Sequence, residues 1–296
     1  MKLPRIGKPK SPNFGISSHY YLSVLSSRPT LPPILVVINP KGEGGAVPGF
    51  GVPLAGSQGK EALAAPMVRG IYGMAAVDRK TVLRVRVFNM EEAGYNPEPY
   101  LASPLGKQAG PEMAARMRGT WMMLQFTFES HDPAVFPALE FLFQLVRRVG
   151  ELTEGVIADP ISQRYLLPDQ IARPGIPINA NDLVQIHWRS RPDGIHCYTL
   201  GLTKLALPEF EIVGIDPGDE PVAAEFLMAL VQETLLGQQF FPGDQVGATG
   251  YTFEIQPGGL DRGLWEGIPV LELLSPTQFR TSEALHRWKE ETEALS

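Results

Sequence analysis

The sequence predicts an α+β protein. The expected architecture is a two-layer sandwich, a mostly antiparallel sheet with two helices on one face, preceded by a loop-rich N-terminal part. Three observations carry this. KTVLRVRVFN (80–89) and WMMLQFTFE (121–129) alternate apolar and polar residues at the two-residue period of a half-buried strand. Residues 133–153 and 221–236 carry apolar stripes at helical spacing. Between them, Val184–Ser190 and Ile195–Leu202 flank Pro192-Asp193-Gly194, and Asp-Gly favours the positive backbone angles of a tight hairpin turn.

Taken in order, residues 1–33 are proline- and serine-rich and read as an extended lead-in. Ile34–Asn39 reads as a short buried strand, and residues 40–60 as a glycine- and proline-rich loop. Residues 61–79 are ambiguous, being apolar but interrupted by Pro66, Gly70 and Gly73. Residues 90–110 read as loop and Pro111–Arg118 as a short helix opened by proline. Ahead of the long helix, Asp132 suits the N-cap and Pro133 the first helical position, with Gly155 placed to end it. Val135, Ala138, Leu139, Leu142, Leu145, Val146, Val149 and Leu152 form its expected buried stripe; Glu140, Gln144, Arg147, Arg148 and Glu151 face water. Val156–Asp159 is a short strand. After the hairpin come a strand at Phe210–Ile215 and a helix at Pro221–Leu236 stopped by Gly237. Strands at Tyr251–Gln256 and Pro269–Leu274 and a terminal helix at Thr281–Leu295 complete the chain. The division expected is an N-terminal region, 1–110, and a core domain, 111–296.

The 296 residues are 44% hydrophobic and 20% charged, enough to bury a substantial core, and carry a formal charge of −6. An acidic chain lacks the general surplus of Lys and Arg that phosphate backbones require, which argues against nucleic acid as a partner. One cysteine, Cys197, excludes an internal disulfide and permits a reducing compartment. The basic start has no apolar signal region, and Ile34–Ile38 is too short to span a bilayer. These features predict a cytoplasmic protein with no membrane partner.

No catalytic constellation emerges. The five histidines lack paired metal-ligand spacing, so neither metal nor cofactor is expected. Ser130-His131-Asp132 holds triad letters, but adjacent residues diverge and cannot converge on one atom. Cys197 has no setting that would lower its pKa. Strand parity does place His187, Arg189, His196 and Tyr198 on one sheet face, with Ile186, Trp188, Cys197 and Thr199 on the other. That face reads either as a solvated sheet surface with cross-strand packing or as a binding surface for an anionic or aromatic ligand.

Two resemblances add to this. VINPKGEGG (37–45) resembles the leading strand and glycine loop of the diacylglycerol kinase and lipid kinase family. It implies a phosphate loop at Asn39, Lys41, Gly42, Gly44 and Gly45. The chain lacks that family's Gly-Gly-Asp-Gly loop; the nearest approach, Pro257-Gly258-Gly259-Leu260-Asp261, is late and differently spaced. Over residues 120–235 the chain resembles an uncharacterised bacterial family known only as a domain of unknown function. The matching residues are GVIADPISQRYLLP (155–168), then Thr199, Gly201, Leu202, Pro208, Glu209 and Glu211. This resemblance implies a fold and carries no information about activity. The function expected is a non-catalytic macromolecule-binding or accessory module with a protein as its partner; the alternative is a nucleotide- or lipid-phosphate-handling enzyme using residues 39–60.

Overall fold

The computed structural model describes residues 12–38, 47–54, 60–259, 261, 263–275 and 278–295. The chain folds as two units. One is Ser18–Ile178; the other is Asn179–Ser296, joined by residues 12–17 of the N-terminal segment. Each unit is α+β, built on its own sheet. The boundary expected at 110/111 falls inside the first unit.

The first unit contains β1 (Tyr21–Ser26), α1 (Ile34–Val37), β2 (Gly49–Pro53), α2 (Lys60–Ala64), β3 (Gly70–Ala76) and β4 (Val82–Asn89). There follow α3 (Met90–Ala93), α4 (Glu98–Ala102), α5 (Pro104–Gln108), α6 (Gly110–Arg118), β5 (Met122–Phe128), α7 (Val135–Thr153), β6 (Val156–Asp159) and β7 (Arg164–Leu166). The seven strands are ordered β2-β3-β4-β5-β1-β6-β7, and every pairing is antiparallel. β1 therefore lies inside the sheet, between β5 and β6, and is no loose lead-in. Ile34–Asn39 was expected as a strand. Instead Ile34–Val37 makes one helical turn directly after Pro33, which has the extended backbone of a cap. The loop expected at 90–110 contains three short helices.

α7 supplies the roof. Its apolar stripe, including Val135, Leu139, Leu142, Val146 and Val149, is buried. Under it lie Leu22, Val24, Met74, Leu83, Val85, Leu124 and Phe126, the alternate residues of the central strands. Asp132 does not cap this helix. It holds a left-handed backbone angle of 51°, and α7 starts three residues later behind Ala134. At the other end Glu154 takes the left-handed position, and the Gly155 N–H donates to Gly150 O at 2.9 Å. Ser27 then donates from its N–H to Thr153 O and from Oγ to Glu154 O, which satisfies carbonyls the helix leaves open. Among the described residues, the opposite sheet face is covered toward β1, β6 and β7. There Met113 and Met117 of α6 pack on Leu25 and Val156.

The second unit contains α8 (Ala180–Leu183), β8 (Gln185–Arg191), β9 (Gly194–Leu200), β10 (Glu209–Ile215), α9 (Glu220–Leu235), β11 (Gln245–Ala248), β12 (Tyr251–Pro257), β13 (Val270–Leu274) and α10 (Thr281–Leu295). Its six strands are ordered β11-β12-β13-β10-β9-β8, antiparallel except for β10 with β13. The hairpin has a two-residue turn, Pro192-Asp193, with Arg191 opposite Gly194 and the glycine at a backbone angle of 123°. α9 and α10 pack on one face, where Phe226 meets Phe253 and Trp288 with ring centroids 5.2 and 4.9 Å apart. The expectation of two helices on one sheet face is thus met within this unit. The pairing differs from that expected, because α7 and α9 belong to different sheets. Among the described residues no helix is long and apolar enough to cross a membrane.

A Cβ added at Gly155 would sit 2.8 Å from Leu25 O and 2.9 Å from both Thr153 Oγ1 and Val24 Cγ1. Two of these atoms belong to the central strand β1, which has no room to retreat. Gly155→Ala is expected to lower the unfolding free energy by about 1–3 kcal/mol, read from the midpoint of a urea transition.

Candidate functional site

The structure brings together the four residues that strand parity placed on one face. His187 pairs with Tyr198 and Arg189 with His196 across β8 and β9. The His187 and Tyr198 rings stack at 5.7 Å, His196 lies 4.9 Å from Tyr198, and the Arg189 guanidinium sits 5.3 Å above the Tyr198 ring. The face is nevertheless neither solvated nor open. His187, His196 and Tyr198 are buried, and only Arg189 keeps part of its side chain at the surface.

What closes the face is the connection from β12 to β13, anchored on Glu211, which the sequence offered as a resemblance residue and not as part of the site. Its side chain is fully buried. Glu211 Oε1 accepts from the Gly259 N–H at 2.6 Å, and Oε2 accepts from Trp265 Nε1 at 2.7 Å. The same Oε2 lies 2.9 Å from His196 Nε2. On the far side of the imidazole, Arg189 Nε donates to Nδ1 at 3.4 Å, which leaves the ring hydrogen on Nε2, directed at Glu211. Arg189 Nη1 reaches Asp261 Oδ2 at 2.9 Å and ties the middle of the connection down. The backbone N–H groups of Leu264 and, less strongly, Gly263, together with Arg189, hold the Asp261 carboxyl below its usual range.

The next glutamate on the same strand behaves alike. Glu209 is buried, and its Oε1 accepts from the backbone N–H groups of Gly201 and Thr203 at 2.8 and 3.0 Å. Its Oε2 accepts from Thr199 Oγ1 at 2.7 Å. Thr199, Gly201, Glu209 and Glu211, four of the residues that carry the second family resemblance, therefore fasten β9, β10 and their neighbouring loops. The alternation of two glutamates with apolar residues in PEFEIVGI was the available signal, since strand residues of one parity share one environment.

As chemistry, this cluster is a closed network around Glu211, with one buried donor, Arg189 Nη2, left without an acceptor. The acceptor sites of Glu211 are filled by the protein's own donors, and His196 lies between two fixed partners. Burial is the main cause raising the Tyr198 phenol above its ordinary pKa. On the helix-covered face, burial and then Glu220 push the Cys197 thiol up to about 12, so it stays protonated and unreactive. Among the described residues no group of three or more His, Cys, Asp or Glu is placed to hold a metal ion. The alternative phosphate loop, Asn39, Lys41, Gly42, Gly44 and Gly45, lies outside the described residues.

The surface that is open belongs to the first unit, on the sheet face away from α7. Registers across β2, β3, β4 and β5 line up Val52, Gly73, Arg84 and Thr127 in one row, and Ile71, Arg86 and Gln125 in the next. Phe50 and Ala75 precede them, and Phe88 follows. Val52 and Leu54, packed beside Gly73, are 51% and 54% exposed. Arg84 is paired with Glu129, whereas Arg86 is exposed, lies 5.7 Å over the Phe88 ring, and has no carboxylate within ion-pair distance among the described residues.

Glu211→Gln keeps the shape of the side chain but leaves buried donors facing an amide. It is expected to cost about 3 kcal/mol of unfolding free energy, measured in urea and accompanied by a shift in tryptophan emission as Trp265 loses its anchor. Glu272, directly across from Glu211 on β13, has its carboxyl raised above the ordinary value by burial and then by repulsion from Glu211, with His196 pulling the other way. A raised carboxyl favours the folded state while protonated, and that contribution is lost as pH rises through the folded-state value. Glu272→Gln should therefore raise the melting temperature at pH 7 relative to the parent chain. The gap should close below about pH 4, and a gap that widened with acid would reverse the assignment.

No family model matches this chain, and neither a curated protein nor a solved structure does, so its functional reading rests on the geometry above.

Proposed function

We propose that the protein is a non-catalytic binding module that captures a protein partner on the open face of its seven-stranded sheet. The observation that carries this is the contrast between the two faces. α7 seals one, while on the other Val52 and Leu54 are more than half exposed, beside half-buried Ile71. Single exposed aliphatic side chains are ordinary, but neighbours on adjacent strands form a patch. Arg86, and Arg79 placed 5.4 Å over the Phe50 ring, put positive charge on the same surface. The fitting occupant is a polypeptide segment that offers aliphatic side chains next to carboxylates. Aliphatic groups favour protein over nucleic acid here, because base stacking uses aromatic platforms and both phenylalanines already carry an arginine. The side chains best suited to acid–base or nucleophilic work, His196, Glu211 and Cys197, are buried, which supports a binding role over a catalytic one.

The test places a photo-crosslinking residue at Leu54 in cells of the native host and identifies the adducts. A protein adduct whose crosslinked segment is acidic is expected. It should fall at least about tenfold in Arg86→Glu and in Val52→Ser, and persist in Trp188→Ser, a change on the other unit. Nucleic-acid adducts at Leu54, or protein adducts indifferent to Arg86→Glu, would sink the reading.

A further inference from the structure

We infer that a cavity of about 370 Å³ beside the outer face of α7 is a binding site for a multiply charged phosphate group. It does not rest on the partner-binding reading, since it uses other residues. Gln144, Arg147, Arg148 and Glu151 of α7 line it, with Arg173 from the chain beyond β7, while Val47 and Pro174 provide apolar wall. Three guanidinium groups thus face one carboxylate.

How that carboxylate is used decides the charge left over. Arg147 Nε donates to Glu151 Oε1 at 2.9 Å, and Arg147 Nη1 donates to Ile171 O at 3.1 Å. Arg147 is therefore held in place and locally balanced. Arg148 Nη1 stands 3.9 Å from Glu151 Oε2, beyond hydrogen-bond reach, and its Nε is buried with no acceptor. A buried donor without an acceptor costs about 1–3 kcal/mol, and an oxygen in the cavity would recover it. Arg173 is exposed and has no ion-pair partner among the described residues. Two positive charges are left uncompensated.

The bland alternative is a solvated helix face, since residues 144, 147, 148 and 151 recur at helical spacing. Exposure separates the two. The Arg147 and Arg148 side chains are only 17% and 21% exposed, so their charged ends are gathered at a concave wall and not spread into solvent. Surrounding charge makes the cavity distinctive. Residues 18–178 carry 15 Lys and Arg against 14 Asp and Glu, so nearly all of the chain's acidity lies outside this unit. Guanidinium forks match the planar spacing of phosphate oxygens, and two spare charges match a phosphate dianion better than a single carboxylate.

Titration calorimetry of the full chain with inorganic pyrophosphate tests this, with ATP and vesicles containing phosphatidic acid as further arms. Saturable pyrophosphate binding is expected, weakening with added salt. Arg173→Gln, which removes an exposed side chain, and Arg148→Gln should each weaken it about tenfold, while the ligand-free melting temperature of Arg173→Gln stays unchanged. Binding of ATP but not vesicles would identify a soluble phosphate compound as the ligand, and binding to vesicles a lipid headgroup. No saturable heat with pyrophosphate or ATP up to about 10 mM, or binding by both variants as tight as that of the parent chain, overturns the inference.

Discussion

Two buried carboxylates set the terms on which the second unit folds. Glu209 and Glu211 both lie on β10 with no exposed surface. Removing a charge from water costs several kcal/mol unless hydrogen bonds replace the lost hydration. Here the replacement comes largely from backbone and ring N–H groups of loops: Gly201 and Thr203 for one carboxylate, Gly259 and Trp265 for the other. Each loop is thereby fixed by a strand it does not pair with. The 258–268 connection has no periodic apolar pattern of its own, and its position follows from Glu211 and from the Arg189–Asp261 pair. This gives the six-stranded sheet two chemically different faces, one apolar under α9 and α10, the other polar and closed by a loop.

The first unit answers a different constraint. Its sheet has one long helix, α7, and one face of every central strand disappears beneath it. The second face is only partly covered, by α6 and its neighbours near β1 and β6. The uncovered part falls over β2 to β5, where Gly73 lets Val52 and Leu54 settle flat on the sheet. An open sheet face is therefore a consequence of helix supply before it is anything functional, since α7 and the single turn α1, whose Ile34 sits over Gly51 of β2, roof the same face.

Local physics was legible in the sequence, and long-range physics was not. The bounds of α10, the turn of the β8–β9 hairpin, and the shared face of His187, Arg189, His196 and Tyr198 all depend on neighbours within about 20 residues, and they follow from periodicity and turn chemistry. β1 did not, because its partners lie far along the chain, Val24 pairing with Leu124 and Ile157, and its flanks are rich in proline and serine. The unit boundary was missed for the same reason. A strand near residue 21 closes a sheet with residues near 125 and 157, so a cut at 110 cannot separate anything. Parity identified the residues of the buried cluster but could not say that a loop 60 residues onward would close over them. The helical turn at Ile34–Val37 defeated a reading from apolar content alone, since Pro32-Pro33 sets its start.

Charge is divided between the two units in a way the net value hides. Residues 18–178 are nearly neutral by formal count, while the remainder of the chain holds the excess of Asp and Glu. Within the near-neutral unit, cations are concentrated at two separate places, Arg79 and Arg86 on the sheet face and Arg148 and Arg173 at the α7 cavity. The first pair lies over aromatic rings on an open surface, where screening is strong and contact area matters more than charge. At the second, a guanidinium nitrogen is shielded from solvent without an acceptor, where a single well-placed oxygen matters most. A flat apolar surface with peripheral charge suits a polypeptide, and a small concave wall with unmet donors suits a compact anion. The two surfaces therefore differ in the class of ligand they favour even though arginine supplies the charge in both.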